Sequence, residues 1–128
     1  MAEQTEKPDR IRIRNTTRGT LLAEAAAVAR TSRQRRTGLL KHTSLEPGDG
    51  LWIVPCEGVH TFGMKFAIDV LFLSKSKQVL KIRREMARRR ISFCLRAHSV
   101  LELPAGMADS TGTQPGDQLV FEKPEPGA

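Results

Sequence analysis

Short apolar runs punctuated by turn residues recur along the chain: LWIV at 51–54, IDVLFL at 68–73, QVLKIR at 78–83, SVLELPA at 99–105 and QLVFE at 118–122. Runs of this length, bounded by Gly, Pro, Asp and Ser, are strand signals. The breaks are specific. LEPGDG at 45–50 places a proline, which presets its own backbone angle, before a glycine free to take positive φ, and PGD returns at 115–117 as the same turn chosen again. SKSK separates IDVLFL from QVLKIR and predicts a hairpin with Ile68, Val70 and Phe72 on one face.

Upstream, RIRIR at 10–14 alternates strictly, so Ile11 and Ile13 share an inward face. NTTRG then turns the chain. TLLAEAAAVA carries conflicting signals, since its alanines favour helix while a return from the turn favours a strand that completes a hairpin. The strand reading is preferred. Thr31 and Gln34 have capping-box spacing, in which each side chain satisfies a free N–H of the other residue, and predict a short helix from Ser32 to about His42. The sum is a mostly β (α+β) fold: a small barrel-like closed sheet of about seven short strands with one short helix.

A chain of 128 residues supports one core rather than two. The domain is expected over residues 10–122, with disordered tails at 1–9 and 123–128. Its core should draw on Ile13, Leu39, Leu51, Ile53, Phe62, Ile68, Val70, Phe72, Leu101, Leu103, Leu119 and Phe121. The longest apolar run, Phe66 to Leu73, is interrupted by Asp69 and falls far short of the ~18 to 20 residues that span a bilayer. No membrane partner is therefore expected, and the polar, acidic start MAEQTEKPDR does not read as a secretory signal. A cytoplasmic monomer with two free thiols, Cys56 and Cys94, follows.

The net charge of +7 is unevenly placed. Residues 65–100 hold ten cations against two anions, whereas 101–128 hold one against five. The peak is KIRREMARRR at 81–90, with a second cluster, RTSRQRR, at 30–36. Arg35, Arg36, Arg84, Arg88, Arg89 and Arg90 are the candidate anion-binding residues. Two readings stand: a solvated face, or contact with phosphates or an acidic partner, including weak and sequence-tolerant nucleic-acid binding through 81–90. With five Phe, one Trp and no Tyr, base-stacking platforms are not expected.

Asp69 sits between Ile68 and Val70, and Glu102 between Leu101 and Leu103. Both carboxylates face burial, which demands partners, because an unpaired buried charge costs several kcal/mol or forces protonation. Arg35, Arg36, His60 and backbone N–H groups are available. One reading makes the carboxylates pins that hold loops to the core. The other gathers His60, Asp69 and Glu102 in a pocket, with acid and base roles if their pKa values are pushed apart, and with Thr61 and Met64 completing a ligand-binding set. Cys56–His60 and Cys94–His98 are two C-x-x-x-H pairs, but on a strand such partners lie ~13 Å apart, too far to share an ion. No metal or cofactor is expected, and Cys56 as a nucleophile activated by His60 lacks an accompanying motif.

RTGLL (36–40), PGDGLWI, VHTFGMKFAIDVLFL, VLELPAG (100–106) and PGDQLVF together resemble the domain of unknown function 192 family from about Leu21 to Phe121. The resemblance implies a single, mostly β, barrel-like domain and no established reaction, cofactor or partner. Gly63 stands where many members have tryptophan, and EMARRR replaces a loop that often holds proline. The expected function is accessory binding of a small ligand or an anionic partner. The alternative is a hydrolase or transferase using Asp69, Glu102 and His60.

Overall fold

The computed structural model describes residues 9–126. Nine strands and two short helices follow in the order β1 (Arg10–Asn15), β2 (Thr20–Ala29), α1 (Ser32–Thr37), β3 (Leu51–Ile53), β4 (Gly58–His60), β5 (Ile68–Leu73), β6 (Val79–Met86), β7 (Ile91–Phe93), β8 (Ser99–Pro104), α2 (Met107–Ser110) and β9 (Leu119–Glu122). The seven strands expected from sequence form one sheet, ordered β6-β5-β8-β3-β2-β1-β9. It curls into a half-barrel whose edge strands are stitched at one end by a bridge between Gln78 and Gln118, where the Val79 N–H donates to Asp117 O (2.9 Å) and the Leu119 N–H to Lys77 O (3.0 Å).

One core cluster takes Ile13, Leu22, Trp52, Leu71, Val79, Leu101 and Leu119 from all seven strands, which makes it the inner face of the curl. The second holds Ile68, Val70, Phe72, Leu51, Ile53 and Val100 and is roofed by Leu39 and Met64 from the connections. β5 and β8 are buried along their whole length, which is why both read as nearly continuous apolar runs.

β2 and β3 pair in parallel, so the chain must cross over between them. The segment from Arg30 to Gly50 makes that crossing and lays α1 over the second cluster. The capping box is present: Gln34 N–H donates to Thr31 Oγ1 (3.0 Å) and Thr31 N–H to Gln34 Oε1 (3.1 Å). The helix ends at Thr37 rather than near His42, because Gly38 takes φ +48° and turns the backbone out of helix.

Other expectations need correction. β4 and β7 form a separate two-stranded sheet, and MADS forms α2, neither of which has a strong local signal. Phe62, expected in the core, is 48% exposed and lies against the His60 ring at 5.8 Å. Residues 1–8 and 127–128 of the expected tails lie outside the described residues. Of the remainder, Asp9 accepts from the Val28 N–H (2.9 Å) and from Arg30 (2.8 Å), and Glu125 accepts from Arg12 (3.0 Å).

Candidate functional site

Strand register decides which of the predicted site residues meet. On β5 and β8, Asp69 lies opposite Leu103 and Val70 opposite Glu102. Directly paired residues share a face and successive residues alternate, so Asp69 belongs to the inner cluster and Glu102 to the second. The two carboxylates are on opposite faces of the sheet.

Asp69 is fully buried and its partners are backbone. Oδ1 accepts from the Glu85 N–H at 2.8 Å and Oδ2 from the Ala108 N–H at 2.7 Å. The first donor exists because β6 bulges opposite Asp69: the register slips between Ile68 and Val70, and Glu85 adopts φ +47°. The second belongs to the first turn of α2, whose N-cap is Gly106 and provides no side-chain acceptor. Asp69 thus ties a bulge and a helix start to one strand, as the structural reading anticipated. Arg84 lies on this side too, donating to Asp109 (2.8 Å) and Thr113 O (3.1 Å), so it is not a free anion-binding group.

Glu102 has the opposite circumstances. It is 6% exposed, yet its carboxyl group has no hydrogen-bond donor and no cation within ion-pair distance among the described residues. Burial alone pushes its pKa up to about 7. It sits in a cleft of about 240 Å³ that α1 and the segment after β3 wall off above the second cluster. Arg35 and Arg36 stand on the α1 side, Cys56 and His60 on the other, with Leu40 and Met64 among the apolar lining. Arg35 Nε is itself buried and unpartnered, while its Nη1 reaches Pro55 O at 3.4 Å.

Of the predicted ligand-binding set, then, His60, Met64 and Glu102 line the cleft, and Asp69 and Thr61 do not. Thr61 is buried as a staple: its hydroxyl donates to Ala87 O (2.6 Å) and accepts from the Arg90 N–H (2.8 Å), fixing the HTFGM turn to the basic loop. Arg88, Arg89 and Arg90 are exposed on that loop, apart from Arg35 and Arg36. No three metal-ligating side chains converge among the described residues. Cys56 donates its thiol to Gly58 O (3.0 Å), and burial pushes the thiol pKa up, with nearby Glu102 a lesser contributor. That is the setting of a small packed side chain rather than an activated nucleophile.

A roomier depression of about 430 Å³ lies across α1, but its buried lining, including Val28, Leu39 and Leu51, is all apolar. The sequence reading missed a second polar network. Asp117 accepts from Arg18 through Nε (2.9 Å) and Nη2 (3.0 Å), from Asn15 (3.0 Å) and from the Gln114 N–H (3.0 Å). Arg18 chiefly holds its pKa down at about 2. The PGD turn was the visible trace of this network.

Two solved structures share the fold. One, described as a "putative transcription regulator" from Sinorhizobium meliloti 1021, has a TM-score of 0.77 at 22% identity over 88% of this chain and 92% of that one. The other, a protein of unknown function from Novosphingobium aromaticivorans DSM 12444, has a TM-score of 0.75 at 19% identity over 94% and 96%. No curated protein matches the chain in sequence. At these identities the likeness speaks to the fold alone. The model of a family described as "Uncharacterized ACR" matches residues 13–121, which contain the whole half-barrel core, Asp69 and the Glu102 cleft, and the chain belongs to that family, the domain of unknown function 192 family.

Proposed function

We propose that the chain is a binding protein whose cleft takes a compact, partly apolar molecule that brings a hydrogen-bond donor to Glu102 and a carboxylate or phosphate to the Arg35–Arg36 side. The observation that carries this is Glu102, a buried carboxyl group facing a cavity without a donor. Its oxygens reach the cleft space, where water satisfies them until a ligand that brings a donor takes its place. Near neutral pH this carboxyl can donate or accept, Arg35 on the α1 side of the cleft has an unpartnered Nε, and exposed Arg36 adds charge. Leu39, Leu40, Ile53 and Met64 provide an apolar wall. The volume falls below the ~300 to 1,000 Å³ of drug-sized sites, which favours a small occupant.

Binding is preferred to turnover because Asp69 is held on the other face of the sheet and Cys56 is tied down and raised in pKa. Thermal shift against small carboxylates and phosphates tests the reading. A ligand present at about a hundred times its Kd stabilises the native form by about 2.7 kcal/mol. The wild type should gain melting temperature with a subset of the panel, and Arg35→Leu should lose that gain. A panel in which nothing stabilises the wild type beyond Arg35→Leu ends the proposal.

A further inference from the structure

We infer that the β4–β7 end of the molecule is a contact surface for an anionic lipid bilayer. β7 is inverted relative to an ordinary half-buried strand. β7 reads Ile91-Ser92-Phe93, and its burial runs the wrong way: Ser92 is buried, while Ile91 and Phe93 are 58% and 62% exposed. The Ser92 hydroxyl is left without a partner in the interior. A half-buried strand ordinarily places its apolar residues inward, so this register carries two unfavourable terms, an unsatisfied buried hydroxyl and two large side chains in water. A strand held in this register, with its apolar side chains outward, presents an outer face that something else covers.

The rest of the surface agrees. Phe93 lies opposite Gly58 and Ile91 opposite His60, so both project on the side that carries the His60 ring, against which Phe62 packs. Leu95 follows in the next turn, 81% exposed. Phe62, Ile91, Phe93 and Leu95 are all the large apolar side chains that stand exposed among the described residues, and they fall on this one end. Arg88–Arg90 lead into β7 and Arg96 follows Leu95, with no acidic residue between 86 and 98. None of these four arginines forms an ion pair among the described residues. Glu85 and Glu102 are the acids closest in sequence, and exposed Glu57 lies beside this sheet, its backbone carbonyl accepting from the Cys94 N–H (2.9 Å).

Apolar side chains flanked in sequence by arginines without ion pairs among the described residues match the layered chemistry of an anionic membrane, where acyl chains meet headgroups. Nucleobases could stack on Phe62 and Phe93, but Ile91 and Leu95, which have no ring to offer, would remain in water. The bilayer takes both kinds of side chain. The absence of a spanning segment bears only on crossing a membrane, and lying on one needs no such segment. β4 also borders the Glu102 cleft through Gly58, Val59 and His60, so a docked surface would adjoin its mouth.

Flotation of the full chain with vesicles tests this. Vesicles containing about one-third phosphatidylglycerol should carry the protein, phosphatidylcholine vesicles should not, and binding should weaken as salt rises from ~50 to ~300 mM. Phe93→Ser with Leu95→Ser should reduce binding at least about tenfold, and so should Arg88→Ser with Arg89→Ser. Leu95→Ser alone, at the most exposed position, provides the same test with the least demand on folding, and an unchanged melting temperature confirms that only the surface was altered. Equal binding to both vesicle types, apolar variants that bind like the wild type, or capture of a single-stranded oligonucleotide that vesicles fail to displace would each overturn the inference.

Discussion

Asp69 and Glu102 stand on neighbouring strands, one residue out of register, and their environments differ almost completely. Asp69 faces the inner cluster and receives two backbone N–H groups, from a bulge and from a helix start that have no other acceptor. Glu102 faces the second cluster, receives none, and has its pKa raised to about 7. The comparison teaches that burial alone does not mark a functional carboxylate. What separates the two is whether the fold provides donors, and here one sheet face does and the other opens onto a cleft.

The largest test removes the satisfied member. Asp69→Ala leaves the Glu85 and Ala108 N–H groups buried without an acceptor, and with hydrogen bonds to charged groups at about 1.5 to 3 kcal/mol each, a loss of about 4 kcal/mol is expected in urea unfolding at neutral pH. A loss under about 1 kcal/mol would mean that the bulge and α2 hold themselves.

The unsatisfied member should respond with the opposite sign. Because its folded pKa is raised from 4.5 to about 7, Glu102 keeps a proton on folding that the unfolded chain has given up, so stability declines as pH rises through that window and the full penalty is present above it. Glu102→Gln removes the penalty. The variant should exceed the wild type by up to about 3 kcal/mol at pH 8 and match it near pH 4, measured as paired denaturation curves. A variant less stable than the wild type at pH 8 would show that Glu102 has a partner after all, and the contrast with Asp69 would collapse.

Asp117 sharpens the comparison as a carboxylate satisfied by a cation. Its folded pKa lies near 2, below the ordinary 3.8, so its contribution is present above about pH 4 and disappears as pH falls toward 2. The Arg18 side chain is 43% exposed, and solvent screening reduces the expected cost of Asp117→Asn at pH 7 to about 1 kcal/mol. The variant should show a flatter stability profile than the wild type between pH 4 and 2. Parallel profiles would assign that acid sensitivity to other groups.

The sequence disclosed the parts of this comparison and not their arrangement. Five of the seven sheet strands were readable as short apolar runs between turn residues and β1 from its alternation, β2 only against the helix signal of its alanines, and the capping box at Thr31 and Gln34 because its spacing is a local chemical fact. Both carboxylates were visible as polar residues inside apolar strands. Their separation was not, since it depends on pairing Asp69 with Leu103, a long-range register with no local signature. The same holds for β7, where Phe93 looks like a core residue until its pairing with Gly58 directs it outward. Phe62 was misplaced for a different reason: it stands in the turn after β4, outside any strand. Gly38 ended α1 early, and that glycine was the readable signal passed over.

Cys56 offers the finest measure of where the Glu102 charge resides. The thiol lies in the same cleft, and its pKa is raised first by burial and then, more weakly, by Glu102, with Arg35 acting in the opposite direction. Alkylation consumes the thiolate, so its rate reports that balance. With the carboxyl replaced in Glu102→Gln, burial still dominates and the Cys56 rate at pH 8 should rise only slightly. Cys94, read as a separate peptide by mass spectrometry in the same sample, should not change. A Cys56 rate that stays level or falls would place the Glu102 charge away from the thiol, and the orphan carboxyl would then lie outside the cleft that Cys56 lines.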